Sequence, residues 1–303
     1  MASVKNILEI YKKDVTFRVQ TPNSLNPEQK KPEMPFTTSP AARVGSTNPF
    51  VARIFAQAHD MLKSLPLLEH IDREYFLFEM YNCKEKGVSC QNIFERFKQD
   101  YSIVEDKIKS GEIKRIGEAL YPFPSIENLN WYASSYLTDA KHALQCMARI
   151  YGHCFKSDIT GPRFDLIIKH AKDNLPKEVN FISFLEATQG NILDIIELRN
   201  GQEHPRPDKA TIIGNISYSP EGIVPPVWQI TGTPKRPILQ CMEAFTDFIL
   251  SFCEAFFLFC YAASVRPPLV AIIREIPKDQ INPDLPIRYK LEPGFIKTEP
   301  DKN

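Results

Sequence analysis

Within "ELRNGQEHPRP", residues 197 to 207, an arginine, an asparagine and a histidine stand at Arg199, Asn200 and His204. These residue types suit proton transfer beside a phosphate. Histidine, with an intrinsic pKa of about 6.5, takes or gives a proton near neutral pH. Arginine offers a planar fork that grips phosphate oxygens and stabilises charge developing on phosphorus. The asparagine amide both donates and accepts, and can hold such a site in register. Spacing alone does not single out this stretch, because Arg53 with His59 and Arg163 with His170 are comparably spaced. Context does. Arg53 precedes Ile54 and Arg163 precedes Phe164, whereas Arg199 precedes the polar Asn200. Only the third pair lies where a helix ends, with the histidine in the loop beyond it.

The helix that carries Arg199 reads "NFISFLEATQGNILDIIELRNG", with Asn180 as a suitable N-cap and Gly201 suited to a left-handed C-terminal turn. A purely structural account of the same residues is available. An arginine in the last turn complements the helix dipole, and His-Pro after a glycine is a common helix exit. Upstream, Tyr132, Tyr136, Ala140, Ala143, Met147, Ile150 and Cys154 recur at steps of three and four, predicting one continuous helix from Leu129 to Phe155. His142 and His153 on it read as packing or surface histidines. "GPRFDLIIKHAKDNLP" predicts a shorter helix, with Pro162 at its first position and Phe164, Ile167, Ile168 and Ala171 facing inward. Residues 208 to 234 turn β-branched with Gly/Pro signals, which suggests an irregular hairpin between helices.

A final helix runs from Pro237 to about Ala263. Glu243, Asp247, Ser251 and Glu254 form one narrow polar stripe along it. Acids in mid-membrane cost roughly 2.5 to 3.5 kcal/mol each, which argues against a transmembrane role and for burial in a bundle or against a second copy of the chain.

The first half of the chain carries no nameable motif. Residues 1–49 read as an N-terminal arm or linker, because Thr21 to Pro49 is rich in Pro, Ser, Thr and Asn. Residues 50–125 read as a helical region punctuated by Gly87, Gly111 and Pro122, in which Lys107, Lys109, Lys114 and Arg115 share a solvated helix face with Glu105, Asp106, Glu112 and Glu118. Lys+Arg and Asp+Glu balance at 37 each, so nucleic-acid contact requires a local patch rather than a global field. The seven cysteines form no C-x-x-C pair and sit among apolar neighbours, as thiols do when they pack as small hydrophobes. The N-terminus lacks a signal-peptide h-region, and a reducing cytoplasm fits best. There is no H-x-x-x-H, no clustered Cys/His and no carboxylate set with ligand spacing, so no metal or other cofactor is expected.

A long helix, a short helix, a third helix ending in R-N-x-x-x-H (Arg199, Asn200, His204) and a closing helix together resemble a HEPN domain, over about residues 126–265. The resemblance implies a mainly α fold: a four-helix up-and-down bundle with an inserted β-hairpin-like segment, preceded by the N-terminal helical region and followed by a C-terminal extension, 266–303. The insert between the third and fourth helices departs from compact members. The resemblance further implies a metal-independent endoribonuclease in a toxin or phage-defence setting, with RNA as substrate and an antitoxin or defence-system component as partner. RNA carries its own nucleophile, the 2′-hydroxyl, so cleavage needs a base, an acid and a cation at the phosphate. One motif supplies one histidine. A homodimer that brings two helix ends together supplies the second, and a helix as apolar as 245–263 also favours self-association. The alternative is a catalytically inactive HEPN-like binding or scaffold module that oligomerises through its last helix.

Overall fold

The computed structural model describes residues 8–20, 37–110, 114–116, 119–121, 123–219 and 222–295. The chain is mainly helical, and its packing separates into two compact units whose boundaries cut through three long helices. One unit gathers residues 1–88, 145–163 and 250–303; the other gathers 89–144 and 164–249.

The first unit opens with three antiparallel strands, β1 (Leu8–Tyr11), β2 (Thr16–Gln20) and β3 (Thr37–Ala42), in the order β1-β2-β3. Of the expected arm, residues 21–36 lie outside the described residues. Its next segment is not a linker, because β3 pairs with β2 despite carrying a proline. A polar edge strand gains backbone hydrogen bonds without needing an apolar face, and an edge tolerates proline. The sheet is held by Glu9, which accepts from Tyr81 Oη at 2.9 Å and meets Lys84 Nζ at 3.4 Å. Burial would raise the Glu9 pKa, but the Lys84 charge and hydrogen bonds from Tyr11, Tyr81 and Lys84 hold it below the usual value.

A π-helical stretch, Phe50–Ala56, runs into α1 (Gln57–Ser64), and α2 (Arg73–Lys109) follows. The expected break at Gly87 does not occur. A Cβ there would lie 2.1 Å from Phe50 Cδ1, so the glycine is a notch that admits the Phe50 ring and not a helix stop. Gly111 and Pro122 fall outside the described residues. At the end of α2, Lys107 and Lys109 are exposed and Lys109 pairs with Glu105 at 3.1 Å, the solvated face expected. Lys114 and Arg115 instead belong to β4 (Lys114–Ile116), paired with β5 (Ala119–Tyr121), while Glu112 and Glu118 fall outside the described residues.

The start of α2 shows why a histidine sits on α3 (Leu129–Phe155). His153 Nε2 accepts the backbone N–H of Asp72 at 2.8 Å, and its ring packs on Tyr75 and Phe76. That hydrogen bond requires a neutral imidazole. Burial lowers the His153 pKa, Asp72 opposes this and His70 adds to it. The unfolded chain therefore binds a proton that the folded chain refuses, so this contribution is complete above about pH 6.5 and is lost as pH falls through the window below. Denaturant titrations should show unfolding free energy declining there. In His153→Gln, which keeps an acceptor, that part of the slope should vanish; an unchanged slope would place the titration on another group.

The unit closes with the end of α6 (Ile238–Ser264) and an antiparallel hairpin of β11 (Leu269–Glu275) and β12 (Tyr289–Phe295), where the sequence suggested only an extension. Glu243, Asp247 and Ser251 are exposed as a polar stripe should be, but Glu254 is only 1% exposed. Its carboxylate accepts from Arg53 Nε and Nη2 at 3.0 and 2.5 Å and from Gln57 Nε2 at 3.3 Å, with Arg288 Nη1 at 3.6 Å. Gln57 Oε1 in turn accepts the backbone N–H groups of Arg288 and Tyr289, tying α1 to the last strand. All seven cysteines are free, six of them buried.

In the second unit the apolar faces read from sequence are buried. Tyr132, Tyr136, Ala140 and Ala143 on α3 are each at most 8% exposed, as are Phe164, Ile167, Ile168 and Ala171 on α4 (Phe164–Asn174). Pro162 precedes α4 and is not its first residue. Helix α5 (Val179–Glu203) starts one residue ahead of Asn180, with Glu178 at the cap position and no side-chain cap bond. The segment after it is more than a hairpin: β6 (Thr211–Gly214), β9 (Val227–Ile230) and β10 (Arg236–Pro237) form a sheet in the order β10-β9-β6, with β7 (Ser217–Ser219) and β8 (Gly222–Val224) as a separate pair. Trp228 on β9 is fully buried and stacks on Phe245 of α6 at 6.1 Å, while Arg236 pairs with Asp194 of α5 at 2.7 Å.

Among the described residues α6 is the helix long and apolar enough to cross a membrane, and 67% of its most apolar window is buried within the chain. Phe252, Cys253, Phe256, Phe257 and Cys260 are already covered.

Candidate functional site

The end of α5 is fixed from its buried side. Ile192, Ile195 and Leu198 are fully buried, and Thr211 Oγ1 of β6 donates to the Leu198 carbonyl at 2.8 Å. Gly201 is helical and not left-handed, and the helix continues to Glu203. A Cβ at Gly201 would lie 2.5 Å from Thr211 Oγ1 and 2.8 Å from the Lys209 carbonyl, so glycine is needed for the sheet to approach. Gly201→Ala is expected to cost about 1 to 3 kcal/mol through overpacking, as read by urea unfolding. A wild-type midpoint would mean that β6 yields freely.

His204 ends the helix, its N–H donating to the Asn200 carbonyl at 2.8 Å. Four residues of α-helix return to within about 40° of the same direction, whereas five overshoot to about 140°. The side chains are distributed accordingly. Asn200 and His204 line one pocket, and Arg199 is absent from its lining. Arg199 Nη2 pairs with Glu203 Oε1 at 3.0 Å, and its Nε is buried without a hydrogen-bond partner among the described residues, as is the Gln202 amide. Lys141 of α3 donates to Asn200 Oδ1 at 2.9 Å and to Glu203 Oε2 at 3.2 Å. The Lys141 hydrogen bond chiefly, with the charges of Lys141, Arg199 and His204, holds the Glu203 pKa below its usual value.

The pocket has a volume of about 500 Å³, within the range of small-ligand sites. One side is the end of α5, through Glu197, Asn200, Gly201 and His204. The loop to the sheet adds Arg206, Asp208 and Lys209, and β9 with its following turn adds Ile230, Thr231 and Thr233. No hydrogen bond or ion pair among the described residues engages the Arg206, Lys209 or His204 side chains. The pocket therefore combines a proton carrier with two uncommitted cations.

Sequence reasoning put Arg199, Asn200 and His204 in one site; the fold brings together the last two. It missed Lys141, Lys209, Thr231 and Thr233. Arg206 stood in the quoted stretch, two residues beyond His204, but a pattern counted backward from the histidine passes over it. No protein-family model, no curated protein and no solved structure matches this chain.

Proposed function

We propose that the chain is a HEPN-type endoribonuclease, with α3, α4, α5 and α6 as its four-helix bundle and the β6–β10 segment as an insert. The observation that carries the reading is His204 lining a pocket with Arg206 and Lys209 uncommitted beside it. RNA placed there would be cut by attack of its 2′-oxygen on the adjacent phosphorus. The O2′–P bond forms, the P–O5′ bond breaks, the 2′-hydroxyl proton passes to a base and an acid returns a proton to the 5′-oxygen. The two cations hold the phosphate oxygens as charge grows on them. His204 fills one proton-transfer role, and a homodimer pairing two helix ends fills the other; the partnerless polar atoms of Arg199 and Gln202 on the same helix end are consistent with that pairing. The setting proposed is a cytoplasmic toxin or defence effector held in check by a partner.

A second reading has its own observation. Glu203 occupies Arg199 and Lys141 occupies Asn200, as expected of a HEPN-like module that binds without cutting. Incubation of purified protein with RNA in EDTA, followed by end-group analysis, separates the two. Products ending in a 2′,3′-cyclic phosphate with 5′-hydroxyl partners are expected, and intact RNA would leave the binding module.

A further inference from the structure

The cations are half of the pocket's chemistry. Glu197 and Asp208 line it as well, and among the described residues neither carboxylate has an ion-pair or hydrogen-bond partner. Two cations and two carboxylates share one cavity without neutralising each other, so its complement is a ligand that is anionic at one end and rich in N–H donors at the other. The threonines sharpen this. Thr231 Oγ1 donates to the Ala210 carbonyl at 3.1 Å and Thr233 Oγ1 to the Ile230 carbonyl at 2.8 Å. A hydroxyl has one proton, and each of these is already used, so both threonines offer a ligand only lone pairs. Among the lining side chains, His204, Arg206 and Lys209 can serve an anion, and Glu197, Asp208, Thr231 and Thr233 are acceptors.

Glu197 is set apart from the cation-bearing loop. It stands on α5 about two turns before the His204 cap, roughly 10 Å along the axis. That is comparable with the reach from a nucleotide's phosphate to the far edge of its base. Ile230 supplies an apolar surface for a base to lie against. Among the four RNA bases, guanine alone presents two adjacent N–H groups on one edge, N1–H and the N2 amine, which a carboxylate accepts in a two-point contact. Adenine and cytosine place a lone amine beside an acceptor, and uracil places its N–H between two acceptors. The Glu197 carboxylate strands those acceptor groups unpaired, which is the strongest form of discrimination against a wrong ligand.

We infer that this pocket binds a guanosine monophosphate unit, with the phosphate at His204, Arg206 and Lys209 and the Watson–Crick edge of guanine at Glu197. As a statement about cleavage preference it rests on the ribonuclease reading above; as a statement about binding it is measured separately.

Calorimetric titration of the full chain with 5′-GMP, IMP, AMP, CMP and UMP tests it. GMP should bind roughly tenfold more tightly than AMP, CMP or UMP, with IMP, which lacks the N2 amine, between them. Glu197→Gln, an isosteric change at an exposed position, should erase the ranking, whereas Lys209→Ala should weaken all five nucleotides and leave guanosine without its phosphate unaffected. Equal affinities, a ranking that survives Glu197→Gln, or no binding would overturn the inference. Binding of GMP by a chain that leaves RNA intact would sustain it and remove the ribonuclease; cleavage without preference for guanosine would do the reverse.

Discussion

His204→Ala is expected to abolish RNA cleavage in EDTA, a loss of about 10² to 10⁴-fold for one general acid or base. The stability of the variant should stay within about 1 kcal/mol of wild type, because the side chain is exposed and the helix-closing hydrogen bond comes from the backbone. The arginines give a finer test. Arg206 lines the pocket and Arg199 does not, so Arg206→Ala should cost more activity than Arg199→Ala. The opposite order would mean that Glu203 releases Arg199 when two chains pair or when RNA enters. Mixed dimers holding one His204→Ala subunit should lose well over half of the activity if the two helix ends make one site. Full cleavage by the His204→Ala homodimer would end the catalytic assignment.

The largest stability effect is expected far from that pocket, at Arg53 and Glu254. Glu254 is 1% exposed and the Arg53 side chain 12%, so removing either strands a charge with little access to water. Loss of about 3 to 5 kcal/mol is typical when one partner of a buried pair is deleted. Arg53→Ala should fall toward the lower end, since Arg288 and Gln57 still face the carboxylate. Glu254→Ala leaves two guanidinium groups without their shared acceptor. A double replacement by apolar residues, Arg53→Met with Glu254→Leu, should recover most of the loss, because neither charge then has to be desolvated. Urea unfolding of the two single variants and the double variant measures the coupling; additive losses would show that the pair is not acting as one unit. Arg53, whose spacing to His59 resembles that of Arg199 to His204, is for this reason unsuitable as a silent control.

Helical periodicity was the part of the fold most open to reading, because it is written locally. The inward residues of α3 and α4 follow from steps of three and four alone. What escaped reading depends on residues distant in the chain. Gly87 signals a helix stop until Phe50 is known to lie against it, and Gly201 signals a left-handed cap until Thr211 is known to press on it. Glu254 belongs by spacing to a solvated stripe, and only the arrival of Arg53 and Arg288 explains its burial. At the site, the motif named the histidine and the asparagine. Helix rotation then carried Arg199 away from them, while Lys209 and Thr231 came from a segment whose strand pairing leaves no periodic trace in so short a run.

The Gln57 amide also bears on the order in which a nascent chain can settle. Its carbonyl partners, the amides of Arg288 and Tyr289, lie 231 and 232 residues downstream. Helix α1 is therefore made early and secured late, whereas every residue of the pocket-bearing unit lies between 89 and 249. Contacts so far apart in sequence carry a large loop-closure entropy and form slowly. During translation the pocket can assemble while the strand that will secure Gln57 is still unmade. In pulse-labelled refolding, amides of α5 should gain protection before those of α1; simultaneous protection would indicate that the two units fold as one.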